Sequence, residues 1–326
     1  MAVIRTRLYR GGKCIDENFD PAKISDHLET KECVVWLDLD TPDNDDLALL
    51  AEEFGLNPLA VEDAKTERQR PKVDHYDDHV FISLYDVALS GDMGELSAHE
   101  LAIFAAPRYL ITVRKTPGYS MDPIVARWDD NENLAKYGVG YLLWGLLDVI
   151  VDGHFETVQA LDEKVDALED LLFDESDTGN QVQRLSFELR KSLVRIRRVV
   201  LPTREVLNAL MRRESGLVDD ALMPYYQDVY DHVLRAADWT DSLRDLVSTI
   251  LETNLTIQGN RMNLIMKQVT SWAAIIAVPA VITGYYGMNV LTYPHAGTNA
   301  GGYAAIAISV GVVVGLWMMF RRRGWL

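Results

Sequence analysis

The chain has 326 residues, with 32 Lys and Arg against 49 Asp and Glu and a formal net charge of −17. That excess repels phosphate backbones and excludes nucleic acid as a partner; it fits a surface that gathers cations, and equally a merely well-solvated one. Two cysteines, Cys14 and Cys33, form neither a disulfide framework nor a thiolate metal cluster.

Residues 1–10 carry Arg5, Arg7 and Arg10 with no apolar run behind them, which is not a secretory signal. Residues 1–140 read as a mixed α/β region that stays in the cytoplasm. Val34, Val35, Trp36 and Leu37 form a strand-like run, and a helical pattern over 43–54 follows the breaker Pro42. Residues 72–89 and 101–113 read as paired strands joined by the polar turn at Ser90, Gly91 and Asp92. Residues 141–223 then read as a helical hairpin. Leu161, Val165, Leu168 and Leu172 belong to an apolar series at steps of three and four, with Asp162, Glu163, Asp166, Glu169, Asp170 and Asp174 facing outward. After a break near Gly179 the second helix is basic, with Arg184, Arg190, Lys191, Arg195, Arg197 and Arg198. Opposite charges on adjacent helices predict cross-pairing within the hairpin, or alternatively an acidic arm that gathers cations.

A third helix begins after Pro224 and meets no further proline until Pro279. Unbroken to about residue 285, it would extend roughly 90 Å at 1.5 Å per residue. Its portion over 224–268 reads as a cytoplasmic stalk that needs partners along its length, which self-association around an axis would supply. Two uncharged apolar runs close the chain, at 269–286 and 303–320. Each has about the minimum length that crosses a lipid bilayer as a helix. Lys267 precedes the first and the tail 321–326 begins Arg321, Arg322, Arg323, while the loop 287–302 has neither Lys nor Arg. Both termini are therefore expected inside and the loop outside. The basic residues form a collar at the inner mouth, or simply anchor the spans.

The chemistry gathers at the end of the first span, where Gly287, Met288 and Asn289 follow Tyr286. Glycine stops the helix, and Asn289 sets a neutral amide oxygen at the outer boundary. Magnesium dehydrates reluctantly, so a ring of amide oxygens that bonds to its water shell without removing it would bind weakly enough to conduct. Asn263, Met266, Thr270, Ala273, Ala277, Ala280 and Gly284 fall on one helical face. Their small membrane portion suits a narrow pore or close helix packing. No catalytic constellation emerges. The acidic run at Asp38 to Asp46 lacks the calcium-loop glycine, His99-Glu100 lacks a second zinc histidine, and there is no phosphate-binding glycine loop.

Tyr286-Gly287-Met288-Asn289, in a chain ending Arg321-Arg322-Arg323-Gly324-Trp325-Leu326, resembles the CorA family of magnesium and cobalt channels. Gln69-Arg70-Pro71-Lys72-Val73, Tyr141-Leu142-Leu143, Arg204-Glu205-Val206-Leu207 and Tyr226-Gln227-Asp228-Val229-Tyr230-Asp231-His232 resemble family segments in the same order. The resemblance implies an α+β fold, a funnel-shaped homopentamer in a lipid bilayer, a long helical stalk and a central pore lined by the first of two C-terminal transmembrane helices. It implies Gly287, Met288 and Asn289 as selectivity filter, and Asn263, Met266, Val269, Thr270, Ala277 and Gly284 as pore and gate. It places Asp228 at an inter-subunit divalent-ion site where bound magnesium closes the channel; a capping role for Asp228 is the alternative. The partner position falls on Ser90, leaving Asp86 or Asp92 to supply the carboxylate. The loop after the signature departs from the family in having no acid, which weakens electrostatic recruitment of ions. His295 there favours cobalt, nickel or zinc over magnesium. The expected activity is magnesium influx, shared with Co2+ and Ni2+; the alternatives are a Zn2+ transporter and a membrane-anchored metal sensor.

Overall fold

A computed structural model describes residues 3–30, 32–91, 94–173, 180–212, 216–288 and 299–326. They form two compact units, Met1–Leu251 and Glu252–Leu326.

The first unit is built on a seven-stranded sheet. Its strands are β1 (Val3–Arg10), β2 (Lys13–Glu17), β3 (Cys33–Asp40), β4 (Lys72–His75), β5 (Val80–Ser90), β6 (Glu95–Ala106) and β7 (Tyr109–Arg114), in the order β2-β1-β3-β7-β6-β5-β4. Every pairing is antiparallel except β3 with β7. That parallel pair requires a crossover, and residues 41–108 supply it. The run read as one strand over 101–113 is two strands, turned at Pro107 and Arg108 into the β6–β7 hairpin.

One face of the sheet carries Leu8, Val35, Leu37, Leu39, Phe81, Phe104 and Ile111. Three helices are associated with this core: α1 (Ile24–Glu29), α2 (Asn44–Phe54) and α3 (Pro58–Lys65). Asp43 starts α2 by accepting from the Asp45 and Asp46 amides, a capping box that completes the Pro42 break. Alternation sends Trp36, Ile82 and Leu84 to the opposite face. There lie α4 (Asp122–Asp129), α5 (Glu132–Ala135) and the long α6 (Val139–Leu172). Trp128 of α4 stands edge-on to Trp36 at 4.8 Å and donates its indole N–H to the Leu142 carbonyl at 2.8 Å. Gly145 leaves room for that ring: a Cβ there would lie 2.7 Å from it.

The helix α7 (Asn180–Leu210) runs past Pro202, ten residues beyond the periodic run that ends at Val200. Thr203, Val206, Leu207 and Leu210 are buried beyond the proline, and this packing offsets the hydrogen bond that Pro202 cannot make. The expected cross-pairing of the hairpin is not present. Among the described residues no ion pair joins Asp162, Glu163, Asp166, Glu169 or Asp170 to Arg184, Arg190, Arg195 or Arg198, and Asp174 lies outside those residues. Arg197 reaches Asp241 instead, at 2.6 Å, and Lys191 pairs within its own helix. The charged faces point away from the apolar seam, so the side chains do not meet.

The helix α8 (Met223–Tyr286) begins in the first unit and ends in the second, and α9 (Asn299–Arg322) completes the chain. Both are long and apolar enough to cross a membrane. Pro279 is accommodated inside α8, where Thr283 Oγ1 donates to its carbonyl at 2.9 Å.

Candidate functional site

Two places carry the residues singled out by sequence, one in each unit. In the second unit, Ser271 and Ile275 are the buried positions of the apolar part of α8, and Ala305 and Phe320 are buried on α9. At 100° per residue, the stripe of Thr270, Ala273, Ala277, Ala280 and Gly284 lies on the face opposite Ser271 and Ile275. All five are exposed within the chain, as are Asn263, Met266, Val269 and Lys267. The small side chains therefore do not serve to bring α8 close to α9. A Cβ added at Gly284 would meet nothing within 4 Å.

Tyr285 and Tyr286 end α8, their rings 5.8 Å apart edge to face, a pairing suited to a membrane–water boundary. The Gly287 amide donates to the Thr283 carbonyl at 2.9 Å, and Met288 is exposed. Asn289 and His295 lie outside the described residues. Arg321, Arg322 and Arg323 are exposed at the end of α9, with the Arg321 guanidinium 5.0 Å from the centre of the Trp317 ring.

In the first unit, α6 is docked on β5 through two backbone carbonyls. His154 Nε2 donates to Tyr85 at 2.7 Å and Thr157 Oγ1 to Val87 at 2.8 Å. Between these anchors Asp86 continues the row begun by Ile82 and Leu84, so its side chain projects toward α6. Gly153 makes space for it: a Cβ there would stand 3.1 Å from Asp86 Oδ1. The result is a cleft of about 840 Å³ lined by Asp86, Asp130, Asp152 and Glu156, with Arg127 and Tyr119. Burial raises the Asp86 carboxyl above its ordinary range; His99 opposes the rise and Glu156 adds to it.

Asp148, Asp152 and Glu156 recur at four-residue steps along α6. Arg127 of α4 holds the first two, at 3.0 Å each, and His232 of α8 stands 3.6 Å from Asp152. Asp148 is pushed up to about 6, chiefly by burial, with Arg127 opposing and the charges of Asp152 and Asp228 contributing. Asp228 itself is exposed on α8, five residues past its first residue Met223. Among the described residues no three His, Cys, Asp or Glu side chains are arranged to hold a metal ion. Asp92 lies outside the described residues. The acidic ladder on α6 has a four-residue spacing that the sequence shows, where the denser acidic run at 162–170 overshadows it.

An α+β unit whose last helix runs on into an apolar stretch is followed by one further apolar helix, the architecture of a family of divalent-cation transporters rather than of enzymes. The chain belongs to the CorA-like Mg2+ transporter family, whose model matches residues 31–322. It is 31% identical over 278 residues to the cobalt/magnesium transport protein CorA of Thermotoga maritima, covering 85% of this chain and 79% of that one. It is also 26% identical over 312 residues to the zinc transport protein ZntB of Cronobacter sakazakii, covering 92% and 90% respectively. The solved structure of the CorA magnesium transporter from Methanocaldococcus jannaschii superposes with a TM-score of 0.80 over 100% of both chains, at 24% identity.

Proposed function

We propose that the chain is a magnesium channel that also passes cobalt and nickel, and that its pore wall is the small-residue face of α8. The observation that carries this reading is the placement of Thr270, Ala273, Ala277, Ala280 and Gly284 opposite the buried positions Ser271 and Ile275. A stripe that meets nothing in its own chain is matched when several copies surround an axis, and five copies are the family's arrangement. Asn263 and Met266 extend the same face toward the cytoplasmic mouth, with Val269 beside it. Lys267 and Arg321 to Arg323 collar that mouth, and both termini lie in the cytoplasm. Gly287 ends the helix so that Met288 and Asn289 form the outer filter. Asp228 of one copy and Asp86 of the next hold a regulatory ion that keeps the pore shut when cytoplasmic magnesium is plentiful.

A zinc-transporting reading draws on the ZntB relative and on an outer loop that carries His295 and no acid. Reconstituted vesicles loaded with magnesium- or zinc-sensitive dye separate the readings. Magnesium entry that Co2+ and Ni2+ compete for is expected, and Asn289→Ala should reduce it about tenfold or more. Zinc entry without magnesium entry would favour the second reading. No flux of any ion would leave only an anchored sensor, and intact flux in Asn289→Ala would remove the filter role.

A further inference from the structure

We infer that the α6–α7 hairpin is an interface between copies of this chain, with the acidic outer face of α6 on one protomer against the basic outer face of α7 on the next. This rests on the self-assembly proposed above and adds to it the surfaces that meet.

Val158, Leu161, Val165 and Leu168 fix the buried side of α6. Glu163, Asp166 and Asp170, at steps of three and four, lie on the far side and are exposed. On α7 the buried side is set by Val182, Leu189, Leu193 and Ile196. Arg184, Arg195 and Arg198 lie opposite it and are exposed, and beside them Phe187 is 67% exposed. Among the described residues none of these six charges is in an ion pair, although Arg197, in the same stretch of α7, is held by Asp241.

Glu163, Asp166 and Asp170 on α6, and Arg195 and Arg198 on α7, are like charges three and four residues apart, and such neighbours repel each other. A divalent cation would relieve α6 and leave α7 unrelieved. A phosphate-bearing surface would do the reverse. A second copy of the chain brings both complements at once. Because the two patches differ, the contact is head-to-tail, and head-to-tail contacts close into a ring when the rotation between neighbours divides a full turn. Individual exposed ion pairs are weak, so this contact sets orientation and register more than affinity.

Cross-linking between differently tagged chains tests the contact. In a Cys14→Ser background, with Cys33 buried and unreactive, one chain carries Asp166→Cys and the other Arg195→Cys. Each has a single reactive thiol, so a short bismaleimide joins these two positions only between chains. The co-expressed full-length proteins should yield a product bearing both tags. Raising the salt to about 1 M, where the screening length is about 3 Å, should lower its yield severalfold. Adding Arg184→Glu and Arg198→Glu to the second chain should also lower it, and adding Glu163→Lys and Asp170→Lys to the first should restore it. An assembly that light scattering shows intact, but that gives no mixed product, overturns this interface and leaves the self-assembly standing. A monomer by light scattering overturns both.

Discussion

At the scale of single residues, the docking of α6 on β5 depends on a histidine that must stay neutral. His154 is fully buried, donates to the Tyr85 carbonyl, and leaves Nδ1 without a partner among the described residues; burial lowers its pKa to about 4. The unfolded chain takes up this proton near pH 6.5, so the stabilisation is complete above that pH and is lost as pH falls toward 4. The loss amounts to roughly 3 kcal/mol. Asp148 acts in the opposite sense. Its folded value of about 6 lies above the ordinary 3.8, so its contribution is present below 3.8 and is lost as pH rises through 6. The two partly cancel between pH 6.5 and 4. Asp148→Asn removes the opposing contribution, so urea unfolding of the full chain should show a steeper acid-side loss of stability than the parent, by about 2 kcal/mol across that window. Equal slopes in the two proteins would show that Asp148 does not titrate as described.

At the scale of elements, α4, α6 and the sheet meet at one crowded point. Gly145→Ala would put a methyl group 2.7 Å from the Trp128 ring, which Trp36 and the Leu142 carbonyl hold in place. The substitution is expected to cost about 1–3 kcal/mol, measured as a lower urea midpoint with unchanged slope. Elements like these were legible wherever apolar spacing was clean: β3, β5, α6, and α8 with its small-residue stripe. The β1–β2 hairpin was not legible, because Arg7 interrupts its alternation. That guanidinium is buried nonetheless, held by Asp129 at 2.9 Å and by Tyr9 at 3.1 Å, partners 122 and two residues away. The acidic cleft was half legible. The spacing of Asp148, Asp152 and Glu156 was in view, but the room that Gly153 leaves for Asp86 exists only once α6 lies on β5. The cross-pairing expected of the hairpin fails for a similar reason, since a sequence shows each helix's charge but not which way it points.

At the scale of the molecule, Asp228 is the point where regulation and assembly are proposed to join. Magnesium should slow tryptic cleavage of the assembled parent protein, and Asp228→Lys should abolish most of that protection, roughly tenfold in cleavage rate. Equal protection in both would remove Asp228 from the regulatory site. The strand order carries a further consequence, for how the chain is made. The whole seven-stranded sheet lies within residues 3–114, and α6, its cover on one face, ends at Leu172. The first apolar span starts near residue 269, so about 97 more residues, roughly 5–20 s of synthesis, separate the completed cover from the first membrane segment. A ribosome translating this chain therefore presents a largely folded globule before it exposes anything for the insertion machinery to bind, and slowing translation between residues 172 and 269 should leave membrane insertion unharmed.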